Sequence, residues 1–171
     1  NYIDRRRLAV RNIDLYLNVR RRTTPCRGRI NKRILGQSIE HRPIEILTRE
    51  EFGHWETDTV VGRRSKDESL LTLTERKTRQ ELVIRLANKD SGSVQNAMKE
   101  LKERTDLSFA KIFRSITADN GSEFADLSAL LTPWSCQVYF THPYSSWERG
   151  TNERHNGLIR RLIPKTKTLR I

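Results

Sequence analysis

The 171-residue chain is 35% hydrophobic and 32% charged, with a formal net charge of +12. Such a length and composition allow one domain with a modest core and a strongly charged surface. No apolar run approaches the ~18 residues of a membrane span, no signal-peptide pattern opens the chain, and Cys26 and Cys136 lack the spacing of a disulfide framework or a zinc site, so a reducing, cytoplasmic setting is expected.

The positive charge is segmental. Residues 1–35 hold eleven Arg or Lys against Asp4 and Asp14, a net +9, whereas the rest of the chain carries only +3. A short helix is expected within 1–19, with Ile3, Leu8, Val10, Leu15 and Leu17 as its apolar residues. An arm follows through residue 50, first basic and then polar, containing Pro25, Gly28, Gly36 and Pro43. Arginines interleaved with apolar residues, Arg20, Arg21 and Arg22 among them, favour nucleic acid through phosphate neutralisation and counterion release. A solubilising tail is the plainer alternative, and the lack of Trp and Phe anchors disfavours a membrane surface. Residues 1–50 are thus taken as a DNA-contacting helix, arm and linker, and 51–171 as the core. With Asn at position 1 and its single Met at 98, the chain reads as a piece of a longer protein, and a further N-terminal module is expected.

From Gly53 the pattern becomes regular. "HWETDTVVG" reads as a strand with Glu56, Asp58 and Val60 on one face and Trp55, Thr57, Thr59 and Val61 on the other. "SLLTLTERKT" and "QELVIRLANK" read as the next two strands, joined by a tight polar turn at Glu75–Arg79, so the three form an antiparallel meander. In "SGSVQNAMKELKERT", Val94, Ala97, Met98 and Leu101 recur at helical spacing, with Ser91 or Ser93 as N-cap. "KIFRSITAD" returns to strand and ends at Asp119. A short helix around Glu123–Leu131, a strand at Gln137–Thr141 and a long helix over Ser146–Ile163, stopped by Pro164, complete the order βββαβαβα. That order predicts an α/β domain with a mixed five-stranded sheet and helices on its faces.

Three carboxylates stand out. Asp58 lies mid-strand, Asp119 ends the fourth strand, which a right-handed crossover sets beside the first, and Glu153 lies in the last helix, on the side it shares with Arg149, Asn156 and Arg160. "ADNG" after the fourth strand is also ordinary turn chemistry, because Asn and Gly tolerate positive φ. If the helix turned its polar face to the strand ends, the three carboxylates would converge and call for Mg²⁺ or Mn²⁺. Two such ions clamp the attacking and leaving oxygens of a phosphoryl transfer. Arg149, Arg160, Arg161 and Lys165 are the expected DNA-backbone contacts beside the basic arm.

"GHWETDTVVG", "ITADNGSEF" and "PYSSWERGTNERHNGLIRRLIPK" together resemble the catalytic core of the DDE transposases of the insertion-sequence-30 family. The resemblance covers most of 36–165 in the expected order, with 33 residues between Asp119 and Glu153. It implies a ribonuclease-H-like, integrase-like fold and a metal-binding catalytic triad at Asp58, Asp119 and Glu153. It also implies a bacterial enzyme that cuts its element's terminal inverted repeats and joins the 3′-hydroxyl ends to target DNA. Handling two element ends together implies at least a dimer in the working complex. Two positions depart from the family pattern: Thr57 replaces the usual Gly before the first aspartate, and Thr166 replaces a Gly after "PK". The family's helix-turn-helix region has no counterpart in these residues, so an isolated core is expected to keep chemistry and lose end specificity.

Other readings attach to neighbouring residues. Glu56 and Asn156 are expected to support the triad, Glu56 being as readily a surface ion pair, and Asn120 to shape the turn behind Asp119. Glu123 and Glu148 are taken as helix N-terminal charges. His142 and His155 have no zinc-ligand spacing. Trp55, Trp134 and Trp147 are expected to pack, although Trp147 beside Arg149 is also placed to stack on an unpaired base. A non-catalytic DNA-binding derivative and a ribonuclease-H-type nuclease are the rival functions.

Overall fold

Alternation along the strands decides the architecture. In β2 (His54–Val61), Trp55 faces the apolar core with Leu71 and Leu73 of β3 (Ser69–Glu75). Residues of the other parity, Glu56, Thr72 and Thr74, are buried on the opposite face. The computed structural model describes residues 35–62, 68–143, 145–164 and 169. The expected helix within 1–19, Arg20, Arg21, Arg22 and Lys165 lie outside them.

Among the described residues the sheet has six strands, in the order β1 (Gln37–Ser38), β6 (Gln137–Phe140), β5 (Ser115–Ala118), β2, β3 and β4 (Glu81–Leu86). Five are those expected: β2, β3, β4, β5 and β6. β2, β3 and β4 form the antiparallel meander, while β5 and β6 run parallel to β2. The sixth strand, β1, pairs parallel with the outer side of β6. A short helix, α1 (Ile44–Thr48), follows it. The stretch expected to be linker therefore docks on the core from Gln37 onward, pinned by Arg42 donating to Thr117 Oγ1 at 3.2 Å and by the Leu35 amide donating to Asn120 Oδ1 at 3.0 Å.

Helix α2 (Ser91–Thr105) buries Val94, Ala97 and Met98 as its spacing predicts. Its N-cap, however, is Asp90, whose carboxylate accepts from the Ser93 amide at 2.7 Å; a carboxylate one residue upstream serves the orphan amides better than either serine. "KIFR" is not strand. Residues Phe109–Ile112 form α3, because Phe109 and Phe113, four apart, both bury in the core and stack at a centroid separation of 4.9 Å. The strand begins only at Ser115. Helix α4 (Leu127–Leu131) covers the same apolar face, and α5 (Gly150–Leu162) lies over β2 and β3 on the polar one. Trp55 and Trp134 pack around Phe113 and Phe109, whereas Trp147 is 72% exposed. Cys136 is buried, and desolvation pushes its thiol up to about 12, so it stays protonated and inert.

Candidate catalytic site

The β2–β5 register builds the site. Glu56 pairs with Thr117 in parallel; two residues further along each strand stand Asp58 and Asp119. The turn after Asp119 is held tightly. Gly121 donates its amide to Asp119 Oδ1 at 2.9 Å, and a Cβ there would lie 2.6 Å from Glu123 Oε2. Its φ is −68°, so close approach, not positive φ, demands the glycine. Asn120 donates to the Thr141 carbonyl and accepts from Leu35, tying β6 and the linker to the turn.

Asp58 Oδ1 accepts from the Thr59 amide at 2.8 Å, and Oδ2 from Asn156 Nδ2 at 2.9 Å. Between the two aspartates lies Arg149. Its Nη1 donates to the Thr57 carbonyl at 2.8 Å and sits 3.4 Å from Asp58 Oδ2, while Nη2 is 3.3 Å from Asp119 Oδ2. Only 7% of Arg149 is exposed. The expected DNA-backbone contact is instead an internal cation, because two converging carboxylates in a partly desolvated turn require one. Burial raises the Asp119 carboxyl above its ordinary value; Arg149 opposes this, and Asp58 reinforces it.

A polar lattice fixes α5 to the sheet. Glu56, fully buried, accepts from the amides of Thr151 and Asn152 at 3.1 and 2.9 Å and pairs with Arg76 at 3.1 Å. It is thus the internal cap of α5 and not a surface pair. Asn152 donates to the Glu56 carbonyl and to Thr72 and Thr74 Oγ1, and its Oδ1 accepts from Asn156. Asn152→Ala should lower stability by about 2–3 kcal/mol in urea denaturation, since buried partners lose their bonds. Asn152→Asp should cost at least as much by setting a second carboxylate against Glu56.

The lattice also sets the rotation of α5. Arg149, Asn152 and Asn156 turn inward, Arg160 is half-buried where the field of Asp58 reaches it, and Arg161 is exposed. Glu153 is exposed, and among the described residues no three His, Cys, Asp or Glu side chains converge closely enough to hold a metal. The aspartate pair nonetheless suits a divalent ion of the magnesium class: two hard oxygen donors, Asp58 Oδ2 and Asp119 Oδ2, already reach one cationic group within 3.4 Å.

The remaining acidic residues take other partners. Glu123 accepts from Thr59 Oγ1 at 2.8 Å and pairs with Lys89 at 3.1 Å. Glu148 accepts from the His142 amide and ring, and His155 pairs with Glu81 at 3.0 Å. The Thr57 side chain donates to the Thr72 carbonyl, away from Asp58, so the departure from the family pattern leaves the carboxylate undisturbed. Sequence reasoning missed Asn152 and Lys89. Asn152 carried a usable signal, an amide one turn before Asn156.

A family model for the integrase core domain matches residues 48–146. The probable transposase for insertion-like sequence element IS1161 of Streptococcus salivarius is 43% identical over 171 residues, 99% of this chain and 47% of that protein. Transposase InsI for insertion sequence element IS30A of Escherichia coli is 40% identical over 144 residues, 84% of this chain and 36% of that protein. The chain thus spans under half the length of these relatives. Among solved structures, the catalytic core domain of BIV integrase superposes with a TM-score of 0.51 at 17% identity, covering 66% of this chain and 70% of that one. At that identity the likeness carries the fold alone.

Proposed function

Because the chain belongs to the integrase core domain family, with its ribonuclease-H-like fold, and within it to the DDE transposases of the insertion-sequence-30 family, we propose that it is a transposase catalytic core that cleaves DNA and joins 3′-hydroxyl ends to a target. The observation that carries this reading is the convergence of Asp58 and Asp119 on one cation at the ends of adjacent parallel strands. Mg²⁺ or Mn²⁺, two ions in the DNA complex, would be held by Asp58 and Asp119 with Glu153 from α5, and would supply activation of the attacking oxygen and neutralisation of the leaving one.

The chain's own residues have distinct tasks. Asn156 orients Asp58 through its 2.9 Å bond, and Gly121 aims Asp119 through its amide. Arg160 and Arg161, with Lys165 and the arginines Arg20, Arg21 and Arg22, hold the phosphate backbone without reading bases. Glu153, in the first turn of α5 after Arg149, has to face the aspartates when DNA is bound. The terminal repeats and target DNA are the partners, at least two copies work together, and the setting is the bacterial cytoplasm. Among the described residues no helix is long and apolar enough to cross a membrane.

The test is a branched DNA that mimics a strand-transfer product, incubated with Mn²⁺ and either this chain or its Glu153→Gln variant. That reaction runs the joining step backwards and asks little of end recognition. Resolution of the branch by the unaltered chain alone is the expected result. Binding without resolution in either would favour the non-catalytic derivative, and cutting only of RNA–DNA hybrids would favour a ribonuclease-H-type nuclease. Equal resolution by both would remove Glu153 from the site.

A further inference from the structure

On the flank of α5 turned away from Asp58, Arg49, Arg79 and Arg154 line a single cleft of about 500 Å³ with Thr151, His155 and Leu158. Within α5, residues 151, 154, 155 and 158 form one stripe, whereas Asn152, Asn156 and Arg160 form the stripe towards the aspartate. The three arginines come from three separate places: the residue after α1, the turn between β3 and β4, and α5 itself.

Their surroundings differ from those of other surface arginines. Arg85, Arg104 and Arg114 each pair with a carboxylate, on Glu68, Glu100 and Glu51. Among the described residues, no carboxylate partners Arg49, Arg79 or Arg154. Two of the neighbouring acids are engaged elsewhere, Glu81 with His155 and Glu56 with Arg76. Arg49 adds to the positive field on Arg76, helping to hold that guanidinium below its ordinary value, after burial. Among the described residues, three positive charges thus share one open cleft with no carboxylate ion pair.

The backbone supplies a second, independent observation. Arg49 and Arg79 have φ of 60° and 61°, two of the four non-glycine residues with positive φ among those described. Arg49 occupies the left-handed position that ends α1, where glycine or asparagine is the usual residue. Arginine bears the steric cost of its Cβ there, and such outliers cluster at ligand clamps.

We propose that this cleft is a second DNA-backbone site, taking the phosphodiester oxygens of a duplex on the flank of α5 opposite the Asp58–Asp119 pair. Guanidinium groups meet phosphate oxygens in bidentate fashion, and the cleft's lining includes neither Asp58 nor Asp119. The assignment rests on the transposase reading above.

The experiment is fluorescence anisotropy of a labelled duplex oligonucleotide with the 171-residue chain across a salt series. The comparison is the triple variant Arg49→Gln, Arg79→Gln, Arg154→Gln. Each lost phosphate contact should flatten the slope of log K against log salt by about 0.9, so the triple variant should lose between two and three units of slope. Arg49→Gly and Arg79→Gly, which suit the backbone, should each lose about 0.9 of slope while keeping the melting temperature, which separates lost binding from misfolding. An unchanged slope in the triple variant, with steep salt dependence in the parent, would overturn the cleft alone. No salt-dependent duplex binding by the parent would sink the DNA reading itself. Calorimetry with inorganic phosphate closes the remaining route: phosphate uptake lost in the triple variant, with the DNA slope unchanged, would make this a small-anion pocket and overturn the proposal.

Discussion

Asp119→Asn should melt no lower than the parent chain at pH 7 and yet lose Mn²⁺-dependent resolution of branched DNA by on the order of 10³-fold. The loss follows from its place: Asp119 stands at the end of a fully buried strand, aimed by the Gly121 amide and facing the same cation as Asp58. The preserved fold follows from linkage. Burial and the neighbouring Asp58 and Glu123 raise the folded carboxyl above its ordinary value, although Arg149 and Gly121 pull it down. A carboxyl whose folded pKa is raised contributes most stability below its unfolded pKa of 3.8, and loses that contribution as pH rises through the folded value. At pH 7 the charged form therefore costs stability, which an uncharged amide does not. Thermal melts and single-turnover rates across pH check both halves, and retained activity in Asp119→Asn would remove the residue from the reacting centre.

Strand parity and the crossover rule are enough to bring Asp58 beside Asp119, because both depend only on alternation and chain order. The rotation of α5 was not legible. Arg149 and Glu153 are one turn apart, so a helical wheel assigns both to one face and cannot say which turns inward. The rotation is decided by Glu56, whose buried carboxylate takes the amides of Thr151 and Asn152 and draws the helix onto β2 by its N-terminal turn. A charged residue at an alternating strand position reads as exposed, and only the packed helix reveals it as an internal cap. "KIFR" failed for a different reason: its β-branched and aromatic content matched strand propensity, while Phe109 and Phe113 matched helical spacing, and tertiary burial chose the latter. The linker that adds β1 carried too short an apolar pattern to be seen.

Arg149→Met should destabilise the chain by about 2 kcal/mol, and Mn²⁺ should restore more of the melting temperature in this variant than it adds to the parent. Removing one partner of a fully buried ion pair costs about 3–5 kcal/mol. Here the side chains of Asp58 and Asp119 are 27% and 35% exposed, so solvent absorbs part of that cost. For a chain of this size the loss corresponds to ~4–8 °C. The guanidinium neutralises the same oxygens that a divalent ion would take, and among the described residues its buried Nε has no hydrogen-bond partner. With methionine in its place the carboxylates repel each other unopposed, and a cation that binds the folded state alone stabilises it by mass action. Calorimetric melts with and without Mn²⁺ measure the difference directly. A larger Mn²⁺ increment in the parent would mean that Arg149 holds the two aspartates in place for the metal. A larger increment in the variant means that arginine and metal compete for them, and Arg149→Lys, which keeps the charge but not the forked reach to both aspartates, should then fall between the two.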